Sequence, residues 1–328
     1  MTNLIEGVTR IEIPTPFPVG SVNCYLIEGS PLTLIDTGPK TPKSLEAVQQ
    51  ELHKLSYNMS DIEQILLTHG HIDHIGLAGQ FVRERTLAHN SPTEVWIHQK
   101  DAAAVRNYDR YATIYSEFYT DLLVSCGVPE TESALLPPKG FADYFKSMVE
   151  SVPAAHSFKD GTTFKTGIGE LSALWVPGHS SGSVCYVCDD HHVLFSGDFI
   201  LRDISSNPSI SLDRSKGIGM MTYLESLERL SSRNSYTALP GHRDPILDVK
   251  SRIEVLRAEY DHKLQVTASS LSDSPQTVYE ISRIIYGDYK TNSLVLALAE
   301  SQDLLRILES RNQAKLNNHN GIVQVTKF

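Results

Sequence analysis

Four cysteines in 328 residues are too few, and too unevenly spread, for a disulfide framework. Cys185 and Cys188 have chelate-like spacing, but Ser183–Cys188 reads as a strand. Residues three apart on a strand face opposite sides, so the two thiols are not expected to share an ion. Buried or half-buried free thiols are expected instead. Met1–Gly7 has neither a basic nor an apolar stretch of the kind that directs secretion. No apolar run approaches the roughly 20 residues needed to span a bilayer, so a membrane partner is not expected and a cytoplasmic location is. Positive charge is also short. There are 29 Lys and Arg against 39 Asp and Glu, a net charge of −10, which argues against a polyanion as the main partner.

What the chain does have is concentrated in Thr68-His69-Gly70-His71-Ile72-Asp73-His74. Three imidazoles and a carboxylate fall together directly after the apolar run Ile65-Leu66-Leu67. Imidazole and carboxylate are ligands for zinc and neighbouring transition metals. A strand ending in such a loop presents them at a sheet edge. Further on, His179 follows Pro177-Gly178, Asp198 follows Ser196-Gly197, and His242 follows Pro240-Gly241. Each sits in a glycine-containing turn beside a strand-like segment, where tight backbone geometry can aim a side chain into a shared pocket.

In order, this set resembles that of the metallo-β-lactamase superfamily, and within it the two-metal, glyoxalase II-like hydrolases. Leu34-Ile35-Asp36-Thr37-Gly38 matches the superfamily's first motif, and the resemblance covers about residues 8–248. It implies that His69, His71 and His179 hold one divalent ion, that Asp73, His74 and His242 hold a second, and that Asp198 bridges them. Zinc is the first choice, and manganese or iron tolerates the same donors. Asp36 would orient the His loop, although the residues alone read equally well as a turn-forming Asp. There is no Cys near Asp198, as Cys-ligand β-lactamases require, and His71 stands where flavodiiron proteins carry Glu. The chemistry implied is attack by a metal-bridging hydroxide on a thioester, ester or lactone carbonyl, with Asp73 and Asp198 as the catalytic carboxylates. Phosphodiester or RNA cleavage at the same centre is the alternative, and a single-iron dioxygenase acting on sulfur substrates is a third.

The periodicity predicts strands at about 9–13, 23–27, 32–35, 64–68 and 94–97, a helix over 42–56 with Leu45, Val48, Leu52 and Leu55 on one face, and another over 74–85. The mixture fits an α+β, αββα sandwich. Residues 99–150 interrupt it as a helical insertion. Tyr108, Tyr111, Tyr115, Phe118, Tyr119 and Leu122 recur there at helical spacing. The stripe reads either as core or dimer packing or as a lid with an acyl-binding wall. Tyr111 and Tyr115 are therefore candidate substrate contacts. So are Arg202, Ser206 and Asn207, because the segment after this Asp lines the pocket in relatives.

Residues 1–250 are expected as the catalytic domain and 251–328 as a second, mostly α domain. The latter holds nine basic and nine acidic residues, with helices at about 249–271, 275–286 and 291–312 and a strand near 321–325. It resembles the winged-helix-like extension of the branch that includes the β-lactamase-like protein 2 endoribonuclease and fungal polyketide-releasing thioesterases. Its zero net charge gives a nucleic-acid partner little support. A small acyl substrate and packing of the extension against the catalytic domain are preferred, and a homodimer stays open. His262 is expected on a solvated helix face.

Overall fold

The computed structural model describes residues 5–133, 141–208, 219–233, 235–287 and 291–328. The Pro137-Pro138-Lys139-Gly140 segment of the insertion lies outside them. The chain begins with β1 (Val8–Ile13), β2 (Val22–Ile27), β3 (Thr33–Ile35), α1 (Pro42–Lys54), β4 (Gln64–Leu66), α2 (Ile72–Ile75), α3 (Ala78–His89) and β5 (Glu94–His98). A helical excursion follows: α4 (Ala102–Arg106), α5 (Tyr108–Cys126), α6 (Glu130–Ser133) and α7 (Phe141–Ser147). The chain returns through β6 (His156–Phe158), β7 (Thr163–Thr166), β8 (Gly169–Trp175), β9 (Val184–Cys188), β10 (Val193–Gly197), α8 (Gly219–Leu230) and β11 (Thr237–Pro240).

Strands β1 to β6 form one sheet in sequence order, and the second runs β11-β10-β9-β8-β7. Burial decides the layering. Tyr25, Ile35, Leu66, Phe164, Leu171, Tyr186, Phe195 and Leu239 form a core between the sheets. The outer face of the first sheet packs with Val48 and Leu52 of α1 and Phe81 of α3. Thr41 caps α1 by accepting from the Ser44 amide at 3.1 Å, and Pro42 opens it without losing a bonded N–H. Cys185 faces the outer core of the second sheet and Cys188 the inner one. The two thiols therefore point apart, and all four cysteines are free and buried.

The C-terminal region comprises α9 (Val249–Ser270), β12 (Gln276–Thr277), α10 (Val278–Tyr286), α11 (Thr291–Ser310), β13 (Ala314–His319) and β14 (Ile322–Lys327). Its three strands pair in the order β12-β14-β13. Helix, strand, helix, helix and hairpin is the order of a winged helix. Two details differ from the expectation. Residues 276–277 are a short strand in front of α10, and the terminal strand is the second arm of a hairpin. Leu256, Tyr260, Leu264, Leu298, Leu305 and Val325 share one apolar cluster with Cys185, Val187 and Leu194 of the second sheet. This region thus covers the sheet's outer face. His262 is exposed on α9. Among the described residues no helix is long and apolar enough to cross a membrane.

Candidate metal centre

The seven expected ligands leave the ends of four strands. His69, His71, Asp73 and His74 follow β4 in the first sheet; His179, Asp198 and His242 follow β8, β10 and β11 in the second. Two glycines let these turns close on one another. A Cβ on Gly197 would lie 2.6 Å from Thr68 Oγ1, and one on Gly241 would lie 2.5 Å from Asp198 Oδ1.

The side chains converge in three overlapping groups: His69, His71 and His179; His69, His74 and Asp198; Asp73, His74 and His242. His71 Nδ1 lies 3.0 Å from His69 Nε2 and 2.9 Å from His179 Nε2. Asp198 reaches both halves, with Oδ1 3.4 Å from His74 Nε2, and Oδ2 3.4 Å from His242 Nε2 and 3.8 Å from His179 Nε2. Asp73 Oδ2 lies 3.3 Å from His242 Nε2.

Four of the rings are held from behind, His69 through its Nδ1, which lies 3.1 Å from Thr68 Oγ1. Asp36 Oδ2 accepts from His74 Nδ1 at 2.7 Å and from Thr68 Oγ1 at 2.8 Å, while Oδ1 accepts the Thr68 amide at 2.8 Å. Asp36 sits at φ 58°, a left-handed conformation that Asp tolerates better than most residues. His242 Nδ1 donates to the Ser21 carbonyl at 2.7 Å, and His179 Nδ1 donates to the Ser206 carbonyl. These bonds turn the Nε2 atoms of His74, His179 and His242 toward the centre.

Burial and charge divide the cluster in two. Burial, reinforced by the neighbouring His179 ring, pushes His71 down to about 3, and burial also lowers His69 and His179. Burial opposes a charge on His242 and His74 too, but the carboxylates outweigh it. Asp198 and Asp73 raise His242 to about 10, and Asp198, Asp36 and Asp73 raise His74. The two imidazoliums in turn hold Asp73 and Asp198 below the usual carboxylate range despite burial. Burial therefore favours neutral imidazoles in one half, and the carboxylates favour protonated ones in the other.

His74 Nε2, His242 Nε2 and Asp198 Oδ1 are buried without a hydrogen-bond partner. Orphaned buried polar atoms are rare in native proteins and call for a ligand. Nitrogen and carboxylate donors converging from two sides suit two divalent ions, one per half with Asp198 between, so the residues fit the implied metals.

A cavity of about 240 Å³ opens from the centre under the inserted helices. His71 and Asp73 form one end, and Phe17, Tyr108, Tyr111, Tyr115, Tyr119 and Phe145 supply the wall. Tyr111 and Tyr115 stack at 5.7 Å between ring centroids.

A model of the metallo-beta-lactamase superfamily matches residues 17–242. The chain belongs to the metallo-beta-lactamase superfamily. This metallo-beta-lactamase-fold enzyme is 29% identical over 312 residues to a Bacillus subtilis (strain 168) protein named "Probable metallo-hydrolase YqjP", covering 93% of each chain. It is 25% identical over 243 residues to "Thioesterase pkgB" of Emericella nidulans, covering 73% of this chain and 51% of that protein. The crystal structure of a metallo-beta-lactamase family protein from Thermus thermophilus superposes with a TM-score of 0.84 at 26% identity, over 99% of this chain and 100% of that one. The protein is a hydrolytic enzyme of this superfamily.

The fold places the expected residues unevenly. The seven ligand candidates, Asp36, Tyr111 and Tyr115 come together, but Arg202, Ser206 and Asn207 do not line the cavity. Arg202 is exposed and pairs with Asp244 at 3.2 Å. Asn207 takes a left-handed turn at φ 44° before Pro208. Ser206 is buried, and its hydroxyl donates to the Phe199 carbonyl at 2.9 Å. Its contribution is the backbone oxygen that orients His179. Leu122, at the far end of the aromatic stripe, turns into the core with the C-terminal helices.

Asp101 joins the site without any sequence signal. Its Oδ2 accepts the Gly70 amide at 2.9 Å and the Ser180 hydroxyl at 2.6 Å, and the carboxylate also takes the Gly182 amide. One buried carboxylate thus ties the His69–His71 loop to the His179 loop. Gly178-His179-Ser180-Ser181-Gly182 has the spacing of a serine nucleophile elbow. However, the Ser180 hydroxyl is buried on Asp101, and a strand rather than a helix follows.

Proposed function

We propose that this enzyme hydrolyses thioesters of uncharged, apolar acyl groups, using two divalent ions with zinc as the first candidate. His69, His71 and His179 would hold one ion, Asp73, His74 and His242 the other, and Asp198 both. The observation that carries the reading is the aromatic cavity ending on His71 and Asp73, with no Lys or Arg among its described lining residues. Such a wall suits an acyl tail and offers no cationic side chain to a phosphate. The thioesterase among the relatives supports the same substrate class.

Bound divalent ions would polarise a carbonyl and bring the pKa of water near 7. The chain's own contribution is placement. The carbonyl sits at the His71–Asp73 end, with its acyl group along Tyr111 and Tyr115. Burial holds the Tyr111 and Tyr115 hydroxyls well above their usual range, so they stay protonated, and Tyr115 donates to the Tyr119 hydroxyl within the wall. Asp36, the Ser21 carbonyl and the Ser206 carbonyl keep the rings aimed while substrate enters.

The test is the ratio of kcat/KM for a medium-chain acyl thioester to that for an activated phosphodiester, on one preparation of known metal content. A ratio well above one is expected. A ratio below one would replace this reading with phosphodiester cleavage and give the winged-helix-like region a nucleic-acid role.

A further inference from the structure

We infer that Arg252, on the first helix of the C-terminal region, is a positioning residue for the metal centre: it clamps the loop whose Ser206 carbonyl orients His179. Residues 199–206 run between Asp198 and the His179 contact without helix or strand, yet Phe199, Ile200, Leu201 and Ser206 are buried. A buried irregular segment must still have its carbonyls paired, by backbone, side chains or water, and here side chains supply donors. The donors come from four places, the first being Ser196 at the end of β10, which donates to the Ile200 carbonyl at 3.1 Å. Tyr223 of α8 donates to the Phe199 carbonyl at 2.8 Å, and Ser206 donates to the same oxygen at 2.9 Å, which closes the loop on itself. Arg252 of α9 donates from Nε to the Leu201 carbonyl at 2.6 Å and from Nη2 to the Ile204 carbonyl at 2.8 Å.

Arg252 is 8% exposed, and its remaining nitrogen lies 3.4 Å from Glu259 Oε1 on the same helix. Its rigid fork spans two carbonyls three residues apart, which a lysine ammonium on a flexible stem does less well. Two residues past Ile204, the Ser206 carbonyl accepts from His179 Nδ1. The path from α9 to a metal-facing nitrogen is therefore Arg252, the 201–204 backbone, the Ser206 carbonyl and the His179 ring. This makes the C-terminal region a buttress of the catalytic centre. Without it the Leu201 and Ile204 carbonyls lose their donor, and His179 has a mobile acceptor.

The inference rests on the two-ion reading of the centre, and the test separates the two. Metal-free wild-type protein is titrated with Zn²⁺ against a competing chelator, together with Arg252→Met, Arg252→Lys and, as a control, Lys263→Met. Lys263 donates to Glu300 within the C-terminal region at 2.7 Å and does not touch the loop. Thermal unfolding of each variant sets the fold background. Arg252→Met is expected to weaken one of the two sites about tenfold and leave the other unchanged. Arg252→Lys should lose about threefold at the same site, and it carries the test alone if Arg252→Met fails to fold. Lys263→Met should lower Tm and leave both affinities alone. Wild-type affinities in the Arg252 variants would overturn the inference, as would an equal loss in Lys263→Met. Wild-type protein that takes up no Zn²⁺ would instead overturn the reading of the centre itself.

Discussion

Asp36 Oδ2 lies 2.7 Å from His74 Nδ1, so the first motif of the chain holds the last histidine of the second. Asn tolerates the left-handed backbone that Asp36 adopts at φ 58°. Asp36→Asn therefore alters charge and hydrogen bonding while sparing the turn. It should weaken binding of the ion held by His74 by about 10–100-fold and also lower Tm, because the Asn amide nitrogen must face a buried Thr68 or His74 donor. Zinc titration and calorimetry read the two effects separately, and an unaltered affinity would remove Asp36 from the machinery.

Asp73→Asn and Asp198→Asn should each remove most turnover while the protein stays folded, because both carboxylates face the centre and neither fills the apolar core. Circular dichroism and kcat on the same samples give the comparison. Full turnover in either variant would rule out a shared two-ion site.

The metal-free protein should show a stability maximum near pH 6.5. His242 is raised to about 10 in the folded state; its contribution is complete below the unfolded value of about 6.5 and is lost as pH rises through about 10. His71 is lowered to about 3, so its contribution is complete above about 6.5 and is lost as pH falls from there toward 3. Tm measured against pH in the presence of chelator should fall on both sides. Saturating Zn²⁺ should flatten the alkaline limb, since a ligated His242 no longer carries the proton. A metal-free profile that is flat between about pH 6.5 and 10 would contradict this charge assignment.

Tyr111→Ala and Tyr115→Ala should lower kcat/KM for a medium-chain acyl thioester by about tenfold each and leave an acetyl thioester nearly unaffected. The Phe variants should retain most activity on both, because the wall acts mainly through apolar area. Equal losses on short and long acyl groups would place the cavity outside the substrate path.

Asp101→Ala should loosen both loops tied to its carboxylate and weaken the site of His69, His71 and His179. Gly182→Ala should act in the same direction, because its Cβ would lie 2.5 Å from Asp101 Cγ. Zinc affinity and Tm of the two variants are the readout. Wild-type affinity in Asp101→Ala would show that the loops hold their shape without it.

The ligands are readable from sequence because each sits in a local signal, a glycine turn at the end of an apolar strand. The three C-terminal helices are readable because their apolar residues recur at helical spacing. What escapes is non-local. Asp101 is one of 39 acidic residues, and its partners lie 31 and 79 residues away in sequence. Arg252 acts through carbonyls 51 and 48 residues earlier, which leave no trace in side-chain pattern. Strand β13, Ala-Lys-Leu-Asn-Asn-His, is mostly exposed and lacks apolar alternation, so only its pairing with β14 reveals it. Ser206 has the right position in the chain to meet substrate, but the loop turns its side chain inward.

The ligands come from both halves of the sandwich, four from the first sheet's edge and three from the second's. Ions bound there would act as rivets across the sheet-to-sheet seam, and a chain whose sheets had parted would have no complete site to offer them. Binding to the folded form alone raises stability by about 2.7 kcal/mol at a free concentration roughly one hundred times Kd. Metal supply would then govern how long each molecule survives proteolysis as well as how fast it turns over, so starvation for the ion should lower the protein's abundance together with its activity.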